Sequence, residues 1–142
     1  MRCVAGKYND ESGQINCKGC GAGRWSNTFG LVAMDQCEAC VIGKFSNEIG
    51  MTSVSSCKRC DAGLYNDQIG LERCKGCDTG RYTIETGLTS GGQCKECEEG
   101  KYNEEKAQTN CSLCPKGTYS IKKGLVSSEL CQVCSSCRAP LK

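Results

Sequence analysis

The pair Cys-x-x-Cys recurs at a repeat period seven times in this chain, at residues 17/20, 37/40, 57/60, 74/77, 94/97, 111/114 and 131/134, and Cys3 stands alone in the place of a second member. Second members follow one another at steps of 17, 20, 20, 17, 20, 17 and 20 residues. A fixed period of this length means stacked copies of one small unit, and it constrains the fold more than any other signal. The two step lengths differ by three residues inserted before the closing cysteine, as in "GLVAMDQC" (30–37) beside "GQINC" (13–17). The units are 3–19, 20–39, 40–59, 60–76, 77–96, 97–113 and 114–133, followed by a truncated terminal unit at 134–142.

Three residues after each opening cysteine stands a glycine (6, 23, 43, 63, 80, 100, 117), and two further on an aromatic: Tyr8, Trp25, Phe45, Tyr65, Tyr82, Tyr102 and Tyr119. These are all the aromatic residues of the chain except Phe29. A second glycine follows at 13, 30, 50, 70, 87 and 124, with Ala107 as the one departure. Polar stretches such as "NDES" and "NDQI" before it carry turn chemistry, because Asn, Asp and Ser bond nearby backbone and Gly accepts positive φ. Each unit is therefore expected to be a short irregular β-hairpin, with the ring packed on flanking disulfides as a miniature core. The fold class is small and disulfide-rich: a linear tandem array of hairpins forming an elongated rod, with little or no helix.

Sixteen of 142 residues are cysteine, about 11%, which is above the level that marks a disulfide scaffold. With a mean hydropathy of −0.44, apolar burial alone is thin, so crosslinks must carry much of the stability. An even cysteine count at this density belongs to an oxidising compartment, so the expected location is extracellular, secreted or at the cell surface. Residues 1–10 show no leader-like apolar run, and both ends fall inside the period, as in a piece of a longer array or a protomer that continues into a neighbour. The net charge of +2, with signs interspersed, gives no footprint for nucleic acid.

If each unit closes on itself, the bonds are Cys3–Cys17, Cys20–Cys37, Cys40–Cys57, Cys60–Cys74, Cys77–Cys94, Cys97–Cys111 and Cys114–Cys131. An interlaced pattern, first with third and second with fourth, remains the alternative; it strands one pair. In the tail "CSSCRAPLK", Cys137 replaces the glycine of the other units, which leaves two readings: a local ring between Cys134 and Cys137, or a bond from either thiol to another molecule.

The layout C-x-x-G-x-Y…C-x-x-C, clearest in "CPKGTYSIKKGLVSSELCQVC" (114–134), resembles the ephrin-receptor-like cysteine-rich repeat. It is also similar to the first hairpin module of cysteine-rich domains in the tumour-necrosis-factor receptor family, without the interlaced second module those domains carry. The resemblance covers residues 3–134 and implies a ladder-like extracellular rod with sequential disulfides; it transfers fold better than activity.

Other chemistries are weaker. Cys17, Cys20, Cys37 and Cys40 have the spacing of a four-thiolate zinc site, but every pair belongs equally to two units and there is no histidine. Acidic turns at 9–13 and 103–107 fall short of a calcium loop. With no histidine, no nucleophile motif and no phosphate loop, no catalytic residue, cofactor or metal is expected, and the chain reads as not an enzyme. Asn110 begins the single Asn-x-Ser/Thr sequon, and Ser26, Ser46, Thr83 and Ser120 follow the ring on what are expected to be exposed hairpins open to O-linked sugars. The functional expectation is an extracellular structural repeat protein: a stalk, matrix element or filament subunit, self-associating end to end or side by side and bearing glycans, with no membrane insertion. The alternative is a ligand-binding or spacer segment of a receptor ectodomain.

Overall fold

The computed structural model describes residues 2–136. Among them lie seven two-stranded antiparallel hairpins: Lys7–Tyr8 with Lys18–Gly19, Arg24–Trp25 with Glu38–Ala39, Lys44–Phe45 with Lys58–Arg59, Leu64–Tyr65 with Lys75–Gly76, Arg81–Tyr82 with Lys95–Glu96, Lys101–Tyr102 with Ser112–Leu113, and Thr118–Tyr119 with Gln132–Val133. In each, the strand carrying the ring pairs with the two residues that link one unit to the next. The amide of the following opening cysteine then donates to the unit's own first glycine, from Cys20 to Gly6 through Cys134 to Gly117, at 2.8–3.0 Å.

The three-residue insertion folds as one 3-10 turn directly before the closing cysteine: Met34–Gln36, Val54–Ser56, Gly91–Gln93 and Ser128–Leu130. Three of these turns start from a serine whose hydroxyl accepts the amide two residues on (Ser53, Ser90, Ser127), which satisfies an otherwise orphaned donor. The units with steps of 17 lack this turn. No helix among the described residues is long and apolar enough to cross a membrane.

The accessible surface is 9242 Å², against the roughly 7,100 Å² expected of a compact chain of this mass, as befits a linear array. Most of its buried apolar side chains are cysteines, and Cys20, Cys40, Cys60, Cys77 and Cys97 are fully enclosed. The rings pack differently from the sequence expectation. Tyr8 does not close a core within its own unit; it clusters with Leu31 and with Cys20 and Cys37, all from the next. Tyr65 likewise lies against Cys77, Leu88 and Cys94. The small cores therefore sit at the junctions between units. Tyr119, which has no described unit after it, is 41% exposed.

Candidate functional site

In an array of this kind the site that sets behaviour is the junction, and its geometry repeats six times. The residue after each ring donates its amide to the carbonyl of the residue after the second glycine of the next unit: Asn9 to Leu31, Ser26 to Met51, Ser46 to Leu71, Asn66 to Leu88, Thr83 to Gln108 and Asn103 to Leu125, at 2.9–3.3 Å. In the other direction, the turn residue of each unit donates to the opening cysteine of the unit before: Gly30 to Cys3, Gly50 to Cys20, Gly70 to Cys40, Gly87 to Cys60, Ala107 to Cys77 and Gly124 to Cys97, at 2.7–2.9 Å. Every junction is thus stitched by at least two backbone bonds, and four also form a parallel bridge: Tyr8 with Leu31, Trp25 with Met51, Tyr65 with Leu88 and Tyr102 with Leu125.

Those four bridges are the junctions at which the following unit carries the insertion. There the bridging residue is Leu or Met and is buried, at 5–7% exposure. Sequence reasoning passed over this position, although the signal was present: the residue after the second glycine is Leu31, Met51, Leu88 or Leu125 in all 20-step units, while two of the three 17-step units have glutamine.

Contact also reaches past the nearest neighbour. A Cβ added at Gly43 would lie 2.7 Å from the carbonyl oxygen of Gly87, two units on, and one added at Gly63 would lie 2.5 Å from that of Ala107. Gly100 and Gly117, with no unit two places further among the described residues, have nothing within 4 Å. The first glycine of the unit is thus a point of backbone approach as well as a left-handed turn. Ala107 holds the equivalent of the second glycine at φ 62°, a conformation that costs an L-residue about 1–2 kcal/mol. Ala107→Gly is expected to raise stability by up to about 1 kcal/mol, after the greater freedom of glycine in the unfolded chain is subtracted. Chemical denaturation of the oxidised protein checks this, and a loss of stability would contradict it.

The residue after the ring is Asn, Ser or Thr in every unit, and its side-chain oxygen accepts the amide two residues on: Asn9 from Glu11, Ser26 from Thr28, Ser46 from Glu48, Asn66 from Gln68, Thr83 from Glu85, Asn103 from Glu105 and Ser120 from Lys122. These are local turns of the kind that short polar side chains favour. Ser26, Ser46, Thr83 and Ser120 are therefore buried, at 8% exposure or less, and the expectation that they stand on exposed hairpins as O-glycan acceptors is wrong. Each holds its hydroxyl inward on the turn, and in the first three the amide of the same residue reaches across the junction. Asparagine does more at two places: Asn66 Nδ2 donates to Lys44 O at 2.6 Å and Asn103 Nδ2 to Arg81 O at 2.7 Å, both in the preceding unit.

The cysteines lie in sequential bonds within units: Cys3–Cys17, Cys20–Cys37, Cys40–Cys57, Cys60–Cys74, Cys77–Cys94, Cys97–Cys111 and Cys114–Cys131. Cys17, Cys20, Cys37 and Cys40, the zinc-like set, are thereby divided among three disulfides. The ring between Cys134 and Cys137 lies outside the described residues. Asn110 is exposed and stands next to Cys111, which is bonded to Cys97.

The acidic turns are engaged with the protein itself. Lys18 Nζ donates to Asp10 at 2.8 Å and to Glu11 at 3.1 Å, and Lys75 Nζ to Asp67 at 2.8 Å. The neighbouring ammonium groups hold the carboxyls of Asp10 and Asp67 below their usual range. These pairs are exposed and contribute little to stability. Glu104 acts across a junction. One of its oxygens accepts the backbone N–H of Ser128 at 3.0 Å and the hydroxyls of Ser128 and Ser127 at 3.2 and 3.4 Å, at the start of the next unit's 3-10 turn. The Ser128 amide chiefly lowers the Glu104 pKa, against a smaller opposing effect of lost water and with help from both hydroxyls. Because the folded value is the lower one, the contact is intact above the ordinary glutamate range near about 4.3 and is lost as pH falls through the folded value. The Ser128 amide resonance is accordingly expected to titrate with a midpoint below about 4.3, and Glu104→Gln to flatten it. An amide indifferent to pH in that range would contradict the assignment.

Residues 88–131 match the family model described as tyrosine-protein kinase ephrin type A/B receptor-like. No curated protein matches the chain. The matched stretch takes in the return half of the fifth unit, the whole sixth and the seventh as far as Cys131. The earlier units are built on the same cysteines, glycines, ring and junction bonds. With seven disulfides among the described residues, this construction suggests an extracellular module, and the chain is a tandem array of cysteine-rich repeats similar to those of the ephrin-receptor-like family.

Proposed function

We propose that this chain is an extracellular, non-catalytic structural repeat protein, a stalk, matrix element or subunit of a surface filament, secreted or held at the cell surface. The observation that carries the proposal is the unbroken stitching of all six junctions by backbone hydrogen bonds, with glycine-mediated packing two units on. Bending such an array at any one point would break bonds on both sides of a unit, so the expected mechanical behaviour is that of a stiff rod. Lateral association with further copies is supported by Ile49, Ile69, Ile84 and Ile121, which stand 66–72% exposed near the turns of four units. End-to-end association is the other arrangement proposed. The exposed Asn110 is the proposed glycan site, to be checked by mass spectrometry of protein from a secretory host.

Electron microscopy of the oxidised protein, with light scattering at rising concentration, tests this reading. It expects straight or evenly curved rods that associate as concentration increases. Segments kinked freely at the links, or a monomer at all concentrations, would count against it.

One observation favours the second reading, a ligand-binding or spacer segment of a receptor ectodomain. At the junction between the third unit and the short fourth one, an open cleft of about 340 Å³ is lined by Phe45, Asn47, Glu72 and Arg73. Binding of a soluble partner that is lost on Phe45→Ala without loss of stability would favour it.

A further inference from the structure

Burial of the closing cysteine goes with the three-residue insertion. In the four units that carry it, the closing cysteines Cys37, Cys57, Cys94 and Cys131 are buried, at 2–7% exposure. In the three units without it, Cys17, Cys74 and Cys111 are half-buried. The neighbouring unit does not decide the matter. Cys57 and Cys94 are covered although a short unit follows each, and Cys17, Cys74 and Cys111 are only half-buried although a long unit follows each. The opening partners Cys3, Cys60 and Cys97 are at 3%, 0% and 0%. A short-unit disulfide is therefore reachable from one side only.

We propose that the disulfides of the short units are sites of thiol–disulfide exchange with external low-molecular-weight thiols, entered at Cys17, Cys74 and Cys111. Exchange requires a thiolate to approach one sulfur in line with the bond, so access selects both which bond reacts and which sulfur is attacked. At the fourth unit the incoming thiolate bonds to Cys74 Sγ as the S–S bond breaks. The bonding pair leaves with Cys60 Sγ, which is released as a thiolate and takes a proton from solvent. The step is redox-neutral, and the product is a mixed disulfide on Cys74. A second thiolate displaces Cys74 in turn, leaving two protein thiols and the disulfide of the small thiol. The array then has hairpins that open before the rest, at the fourth and sixth units as well as the first. The buried bonds of the second, third and fifth units hold the intervening stretches closed.

The test uses the full oxidised chain with reduced glutathione as probe, quenched with an alkylating maleimide at graded times and mapped by peptide mass spectrometry. Cys60–Cys74 and Cys97–Cys111 are expected to open at least about tenfold faster than Cys40–Cys57 and Cys77–Cys94, with glutathione captured on Cys74 and Cys111. Equal rates, faster opening of the long units, or capture on Cys60 and Cys97 would overturn the proposal. The Cys114–Cys131 bond is not part of the comparison, because Cys114 is half-buried at its opening side. As a second arm, three residues inserted between Arg73 and Cys74, copying Gly91–Gln93, are expected to move Cys60–Cys74 into the slow group. If that variant does not fold, the order of opening in the unaltered chain still decides the question.

Discussion

Gly43→Ala is expected to destabilise the array by more than about 3 kcal/mol, whereas Gly100→Ala, at the same place in its own unit, is expected to cost about 1–2 kcal/mol. Both glycines have φ 78°, so both substitutions carry the penalty of a left-handed L-residue. Only at Gly43 does the new methyl meet a backbone that cannot turn aside. Its Cβ would lie 2.7 Å from Gly87 O and 3.1 Å from Thr89 Cγ2, two units on. Gly87 is fixed in turn by its own bond to Cys60 O at 2.8 Å, so relieving the clash means breaking a junction. Paired denaturation curves of the two variants measure the difference. Equal losses would show that the close approach between alternate units is not present in solution.

Removal of one buried disulfide, Cys40→Ala with Cys57→Ala, is expected to cost about 3–5 kcal/mol. Closing a 17-residue loop contributes about 3 kcal/mol in the chain-entropy model, and truncating the enclosed Cys40 adds to the loss. The damage should spread in a defined way. Cys40 O accepts from Gly70 and Cys40 N–H donates to Gly23 O, so the units on both sides lose register. Amides of residues 43–46 and 70 should exchange faster, while those of the sixth and seventh units should change little. Unfolding of the entire array as one block in this variant would argue against local closure of each hairpin.

The covalent frame was legible in the sequence because it is written in residue identities. Cysteine marks each closure, the second glycine each turn, and an aromatic each ring, so units and hairpins could be placed by counting. The junction was not legible, because its bonds run between backbone groups that any residue supplies. Ser46 shows the difficulty. Read alone it is a hydroxyl beside a turn and belongs on the surface, yet its amide reaches Leu71 O, its oxygen caps Glu48 N, and the residue is wholly enclosed. Restriction of that position to Asn, Ser and Thr in all seven units was the available sign that the side chain faces inward. Leu31 and its equivalents were similarly visible as a pattern, but only the path of the chain shows that they cap the ring of the unit before. The step lengths were read only as a three-residue insertion before the closing cysteine. They go with whether a closing cysteine is covered and whether a parallel bridge forms.

Amide hydrogen exchange, resolved residue by residue in the oxidised protein, tests the stitched junction most directly. Protection is expected at Gly30, Gly50, Gly70, Gly87, Ala107 and Gly124, all turn residues that a set of independent hairpins would leave open to water. Rapid exchange at these six positions, alongside protected amides within each hairpin, would show units that are merely strung together and would contradict the account.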